Sequence, residues 1–169
     1  EMADFERVRG RVKVRLHPAS HVRQPGIDAI VHWAPAEGLV ATLVCDFDAY
    51  NCSVSRDALA AWPVSQREAV ALALDNVAAQ NPVEVSPQIP GLAVPLFGIE
   101  RGASYTATHA LMLDRVLDGA RPLGFLVAIP EASAMVYHPI RDARIHEAMA
   151  VMSTLAEHDS VRVRPIPGE

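Results

Sequence analysis

Four side chains close together in the chain, Arg101, Ser104, Tyr105 and His109, have the types needed for a small polar site. The turn Glu100-Arg101-Gly102-Ala103-Ser104 leads into a helix with Ser104 or Thr106 as its cap. At the start of such a helix an arginine would neutralise an anion and backbone N–H groups would hold its oxygens. His109, one turn further on, would serve as a base. A plainer reading competes. His109, Met112, Leu113, Val116, Leu117 and Ala120 fall on one helical stripe, so His109 also fits as a satisfied core residue. Within a pocket, burial would hold its imidazole neutral.

Other chemical residues are more scattered. His17 and His21 lie four apart, but Pro18 excludes a helix between them and no carboxylate or thiol stands nearby, so they make no metal site. Asp46 and Asp48 share a face at a strand end, where carboxylates can hold a cation, yet Asp-Ala-Tyr-Asn is also good turn chemistry. His146-Glu147 lacks the second histidine of a zinc-protease helix. The chain has no phosphate-cradling glycine loop, no nucleophile elbow and no Cys-x-x-Cys. No catalytic residue, metal ligand or cofactor site is therefore assigned. Cys45 and Cys52 flank a turn. A disulfide across a hairpin is geometrically conceivable, but Cys45 reads better as a small core residue and Cys52 as its chance neighbour.

The elements that must position these groups follow from hydrophobic patterning. Leu39 to Cys45 is apolar on both faces, as in a strand covered on both sides. Ser65 and Glu68 have capping-box spacing, and Ala69, Leu72, Ala73 and Val77 give the following helix one buried face. Asn81-Pro82 stops it. Residues 7–16 alternate strictly. They predict an edge strand with Val8, Val12, Val14 and Leu16 inward and five basic side chains outward. Ile27 to Trp33 predicts another short strand. Pro82 to Pro95 reads as a surface loop, and Leu92 to Ile99 as an edge strand interrupted by Pro95. Phe125 to Ile129 and Ala134 to His138 form a central hairpin. Pro139 opens a third helix with Ile145, Ala148, Met149, Met152, Leu155 and Ala156 on its buried face and His146 and His158 off it. Ser160 to Arg164 is a last basic edge strand.

Composition bounds the class. With 169 residues, half of them hydrophobic, the chain supports a real core. A net charge of −5, with no aromatic interleaved on the basic strand, argues against nucleic-acid binding. No apolar run reaches the about 18 residues of a membrane span. No signal peptide is read, and Glu1 in place of Met points to a trimmed or partial gene product.

In sequence order, the chain offers a Trp-x-x-Ser-x-x-Glu helix (Trp62 to Asn76), a Tyr-x-x-x-x-x-Leu helix (Tyr105 to Leu111) and an apolar strand ending in proline (Gly124 to Pro130). This order resembles an uncharacterised bacterial family, the YtpQ-like proteins. That resemblance implies an α+β fold and no assigned activity. An Arg-Asp pair follows the strand's proline in that family, and Glu131-Ala132-Ser133 stands here instead.

Together these features predict one α+β domain with a mixed, largely antiparallel sheet and about three helices. Residues 1–24 form a basic strand or arm and 25–169 the main body. The expected function is that of a cytoplasmic, non-catalytic protein-interaction or regulatory module, acting on a protein partner or by dimerisation, away from nucleic acid and membrane. The alternative is an enzyme or small-molecule or anion binder with its pocket at Arg101, Ser104, Tyr105 and His109.

Overall fold

The computed structural model describes residues 2–47, 49–83, 88–100, 104–117, 123–158 and 164–166. The chain is α+β, and every strand pairing among the described residues is antiparallel. Backbone contacts gather it into two compact units, Glu1–Pro82 and Val83–Glu169, each with a four-stranded sheet.

In the first unit everything is built on β3, Leu39–Phe47. Strand β1, Val12–Pro18, pairs along one side of it, from Val12 opposite Cys45 to Pro18 opposite Leu39. Its other side is shared by β2, His32–Trp33, and β4, Tyr50–Ser53. Ala41, Leu43 and Cys45 are fully buried on one face of β3, and Val40, Thr42 and Val44 are buried on the other. Two covered faces are what its unbroken apolar run requires.

The capping box forms as expected. Ser65 Oγ accepts from the Glu68 N–H and the Glu68 carboxylate accepts from the Ser65 N–H, opening α3, Gln66–Gln80. Such a cap stabilises by about 1 kcal/mol. Ala69, Ala73 and Val77 are buried at i, i+4 and i+8, while Leu72 is half-buried at the margin. The polar flank of α3 holds the chain entering β1. Asn76 Nδ2 donates to the carbonyls of Arg9 and Val12 at 2.7 and 2.8 Å, and Gln80 Nε2 donates to that of Gly10 at 2.8 Å. These carbonyls precede or begin the ladder and need such partners.

The basic segment differs from expectation. Residues 7–11 are not strand: Asp4 caps a short helix α1, Phe5–Val8, and the ladder begins at Val12. Val8 and Val12 are four apart, so helical and strand periods both place them inward and alternation could not tell them apart. Phe5 packs on Trp62 at 5.2 Å between ring centroids, and Trp62 Nε1 donates to the Met2 carbonyl at 2.8 Å. Strand β1 pairs with β3 alone among the described strands, which keeps it at a sheet edge as expected. The strand expected over Ile27 to Trp33 is reduced to the two residues of β2. Gly26, left-handed at φ 83, starts a 3-10 turn over Ile27–Ala29 first. The expected turn after β3 is instead the β3–β4 hairpin, followed by α2, Arg56–Ala60, capped by Ser55.

The second unit orders its strands β5–β7–β6–β8: Phe97–Glu100, Ala134–Pro139, Phe125–Glu131 and Arg164–Ile166. The β6–β7 hairpin is central, as its apolar faces require, and β5 takes an edge, beginning only after Pro95. The last strand also lies at an edge, at 164–166; residues 160–163 of the expected strand fall outside the described residues. The helix α5, Ile145–His158, buries Ala148 and Met152 against Val94, Leu96, Leu126, Ala128 and Ile140. Met149, placed on that face by periodicity, is 36% exposed. The buried stripe is narrow, with Ile145 and Val151 as its half-buried margins, and Met149 lies beyond it. His146 is exposed as expected; the side chains of Leu155, Ala156 and His158 are outside the described residues.

The second helix is the largest departure. Thr106–Met112 is a 3-10 helix, continued by the single α-turn α4, Leu113–Val116. Neither Ser104 nor Thr106 caps it; Tyr105 occupies the cap position without a side-chain bond. Seven residues is long for 3-10 geometry. Thr106 and Thr108 disfavour the α-form through their branched Cβ, and burial of six of the seven residues holds the segment in place. Its expected stop, Asp118-Gly119, lies outside the described residues.

Candidate functional site

The four residues singled out from sequence are only partly brought together. Arg101 lies outside the described residues, and Ser104 is exposed in a turn. Tyr105 and His109 are buried, at 4% and 1% exposure. His109 Nδ1 lies 3.3 Å from the Tyr105 carbonyl, which makes it the donor nitrogen. Nε2 then carries the lone pair, and no partner meets it among the described residues. Burial lowers the pKa of His109, so the imidazole is neutral, as either reading of it requires. This is a core histidine on a buried 3-10 segment. Ser104 does not converge on it.

The polar site that the fold does build is in the first unit, around Lys13. Register explains its position. Lys13 stands opposite Val44 and Arg15 opposite Thr42, so Lys13 points to the β3 face occupied by buried Val40, Thr42 and Val44. The alternation of β1 holds, but its second face is covered too, so Lys13 is turned inward at 6% exposure rather than outward as expected. Its ammonium donates to Asp46 Oδ2 at 2.9 Å and to Asn81 Oδ1 at 3.1 Å. Asn81, read from sequence only as a helix stop, thus also serves as a lysine acceptor. A lysine buried this far is kept only when its charge is paired and its protons are bonded.

Beside this pair opens a cavity of about 530 Å³ lined by Glu6, Arg7, Gly10, Arg11, Lys13, Asp46 and Gln80. The short helix α1 brings Glu6 and Arg7 to it, β1 brings Lys13, β3 brings Asp46, and the last turn of α3 brings Gln80. Glu6 is held by Arg9 at 3.2 Å and Asp46 by Lys13. The Arg11 guanidinium stands 5.6 Å from the Phe47 ring centroid and donates to the Asp46 carbonyl at 3.4 Å. Arg7, Arg11 and Lys13 face this cavity with Glu6 and Asp46, and Arg7 also lies 3.8 Å from the Asp4 carboxylate, so the wall is rich in both signs of charge. Sequence reasoning registered these basic residues but dispersed them along one strand face. The signal that would have gathered them was Asp4, whose capping chemistry turns residues 5–8 into helix and folds Arg7 back toward Arg11.

The remaining candidates resolve differently. His17 and His21 stack face to face, centroids 3.9 Å apart and 4° from parallel, and parallel rings do not aim their nitrogens at one ion. No group of three or more metal-type side chains is present among the described residues. Asp48 lies outside them, so the Asp46–Asp48 pair is not described, and Asp46 is occupied by Lys13. Cys45 is in the core, as expected, and directly opposite Cys52 in the β3–β4 register, both thiols free.

His17 supplies a pH dependence. Its Nε2 and Thr42 Oγ1 are 3.0 Å apart. Burial, then the neighbouring His21 and Arg15, lower its pKa to about 4. The folded state resists the proton that the unfolded chain accepts at about 6.5. Stability is therefore complete above that value and is lost as pH falls from about 6.5 toward 4. Because His17 is partly exposed, the loss expected is about 1–2 kcal/mol rather than the full value of the shift. Urea melts across this range should show wild type losing stability faster than His17→Gln; parallel curves would remove His17 from the acid response.

No helix among the described residues is long and apolar enough to cross a membrane. No family model, curated protein or solved structure matches the chain.

Proposed function

We propose that this chain is a non-catalytic regulatory module whose first unit captures a small anion in the cavity beside Lys13. The observation that supports this is the gathering of two arginines and a lysine, Arg7, Arg11 and Lys13, around one polar cavity of ligand size in a chain of net charge −5. Arginine presents a planar fork that matches phosphate or carboxylate oxygens, and the paired Lys13 fixes the floor of the cavity. Occupancy would be passed on to a protein partner or to a second copy of the chain. A cytoplasmic location is proposed with it, supported by two free thiols in a chain with a substantial core. Membership of the YtpQ-like family is likewise proposed, on the capping-box helix after Trp62 and on β6 reaching Pro130.

Inorganic phosphate is the probe, titrated calorimetrically at constant ionic strength against chloride. A dissociation constant near 1 mM corresponds to about 4 kcal/mol, within reach of two or three charge-assisted hydrogen bonds. Arg11→Lys, which keeps the charge and loses the fork, should weaken binding about tenfold, since one such bond is worth about 1.5–3 kcal/mol. Absence of any phosphate binding beyond that of chloride would reject the site. The alternative pocket at Arg101, Ser104, Tyr105 and His109 keeps one support, the buried Nε2 of His109, which has no partner among the described residues. Binding lost in His109→Phe and kept in Arg11→Lys would move the function there.

A further inference from the structure

The β3–β4 hairpin places two cysteines directly across from one another, and we infer that Cys45 and Cys52 form an oxidisable dithiol within the folded chain. Register carries the inference. Phe47 pairs with Tyr50, Asp46 with Asn51, and Cys45 with Cys52. Directly paired residues on antiparallel strands point to the same face, so both Sγ atoms leave the sheet on one side. The Val54 N–H donates to the Leu43 carbonyl at 2.9 Å two residues further along each strand. That puts Cys45 and Cys52 in the hydrogen-bonded class of pair, where Cα atoms stand about 5.5 Å apart. A disulfide uses Cα separations of about 4.4–6.8 Å, so the Cα spacing is already in range, and the Cβ atoms, about 4.5–5.5 Å apart in opposed pairs, close by about 1 Å through a local twist of the hairpin.

The two thiols differ in access, and this sets the order of events. Cys45 is fully buried, and Cys52 is partly exposed on the outer strand. Burial and the neighbouring Cys52 push the Cys45 thiol up to about 11, which makes it the less reactive of the two until its partner is modified. The oxidant is a small-molecule disulfide such as oxidised glutathione. The Cys52 thiolate attacks one of its sulfurs, forming a mixed disulfide and expelling one glutathione thiolate. Cys45 then loses its proton to solvent and attacks the Cys52 sulfur. The intramolecular bond forms, and the second glutathione leaves as thiolate. The two protein thiols have given up two electrons and two protons, and one oxidised glutathione has become two reduced ones. The anion site plays no part in this sequence.

The native full chain is incubated with oxidised glutathione and followed by intact mass and peptide mapping. The expected product lacks two hydrogens, carries no adduct and links Cys45 to Cys52. Cys45→Ala, which keeps a small apolar residue in the core, should instead stop at a stable glutathione adduct on Cys52. The cross-linked hairpin should melt several degrees higher than the reduced one, since closing even a short loop restricts the unfolded chain. A stable adduct on wild type, cross-linked dimers, or a linkage that forms only after unfolding in urea would each overturn the inference.

Discussion

Asp46→Ala is expected to destabilise the first unit by about 3 kcal/mol or more, the cost of leaving one member of a buried ion pair without the other. The pair is unequally buried: the Lys13 side chain is 7% exposed and that of Asp46 28%. Removing the carboxylate leaves a largely buried ammonium that keeps Asn81 Oδ1 as an acceptor but loses the charge of Asp46. Removing the ammonium with Lys13→Met leaves a carboxylate that can be hydrated, and the methionine stem replaces much of the lost packing. Asp46→Ala should therefore cost more than Lys13→Met, a difference readable from urea midpoints at unchanged slope. Phosphate should recover part of the loss in Asp46→Ala, because an anion in the cavity would stand where the carboxylate stood. Ligand at 100 times its dissociation constant contributes about 2.7 kcal/mol. Equal costs for the two variants would mean that solvent reaches Lys13 and that the pair is a surface bridge.

Leu43→Ala is expected to cost about 3–5 kcal/mol, the upper part of the range for buried leucines. Leu43 is fully buried at the middle of β3, the strand to which β1, β2 and β4 all pair. Its own N–H donates to the Val31 carbonyl and its carbonyl accepts from Val54, so its backbone is held on the β2–β4 side. A site tied down in this way relaxes little around a cavity, and poor relaxation gives the large losses. Leu43→Val, which removes a single methylene and puts a good strand former in place, should lose far less. A loss below about 1.5 kcal/mol for alanine would indicate that the neighbours collapse into the space.

How much of this was legible beforehand depended on the range of the forces involved. The Ser65–Glu68 box and the Asn81 stop involve neighbours within a few residues, and both form where the sequence placed them. The β6–β7 hairpin is set by two apolar runs around a short turn and is equally local. The helix expected after Ser104 failed because its stripe was read at 3.6 residues per turn. Two threonines and near-complete burial favour the tighter 3-10 form, and no short-range signal reports the packing that decides between them.

The polar cluster around Lys13 was not legible as a cluster. Basic residues before and along β1 were read as the outward face of an edge strand, and alternation alone assigned Lys13 to solvent. Exposure is not a property of a strand's own sequence; it depends on whether something covers its second face. Here Val40, Thr42 and Val44 of β3 are buried on that face, and Asn81, 68 residues further along the chain, supplies the acceptor.

The sequence by itself determined the α+β class, the doubly buried β3, the capped α3 and the central hairpin, because periodicity and capping act between residues close along the chain. Only the tertiary structure decided that Lys13 turns inward to Asp46, that Arg7 and Arg11 share a cavity with them, and that Cys45 stands across from Cys52. The first two juxtapositions rest on packing between distant segments, which follows from the whole core, and the third on the exact register of a local hairpin, which the turn residues alone left open.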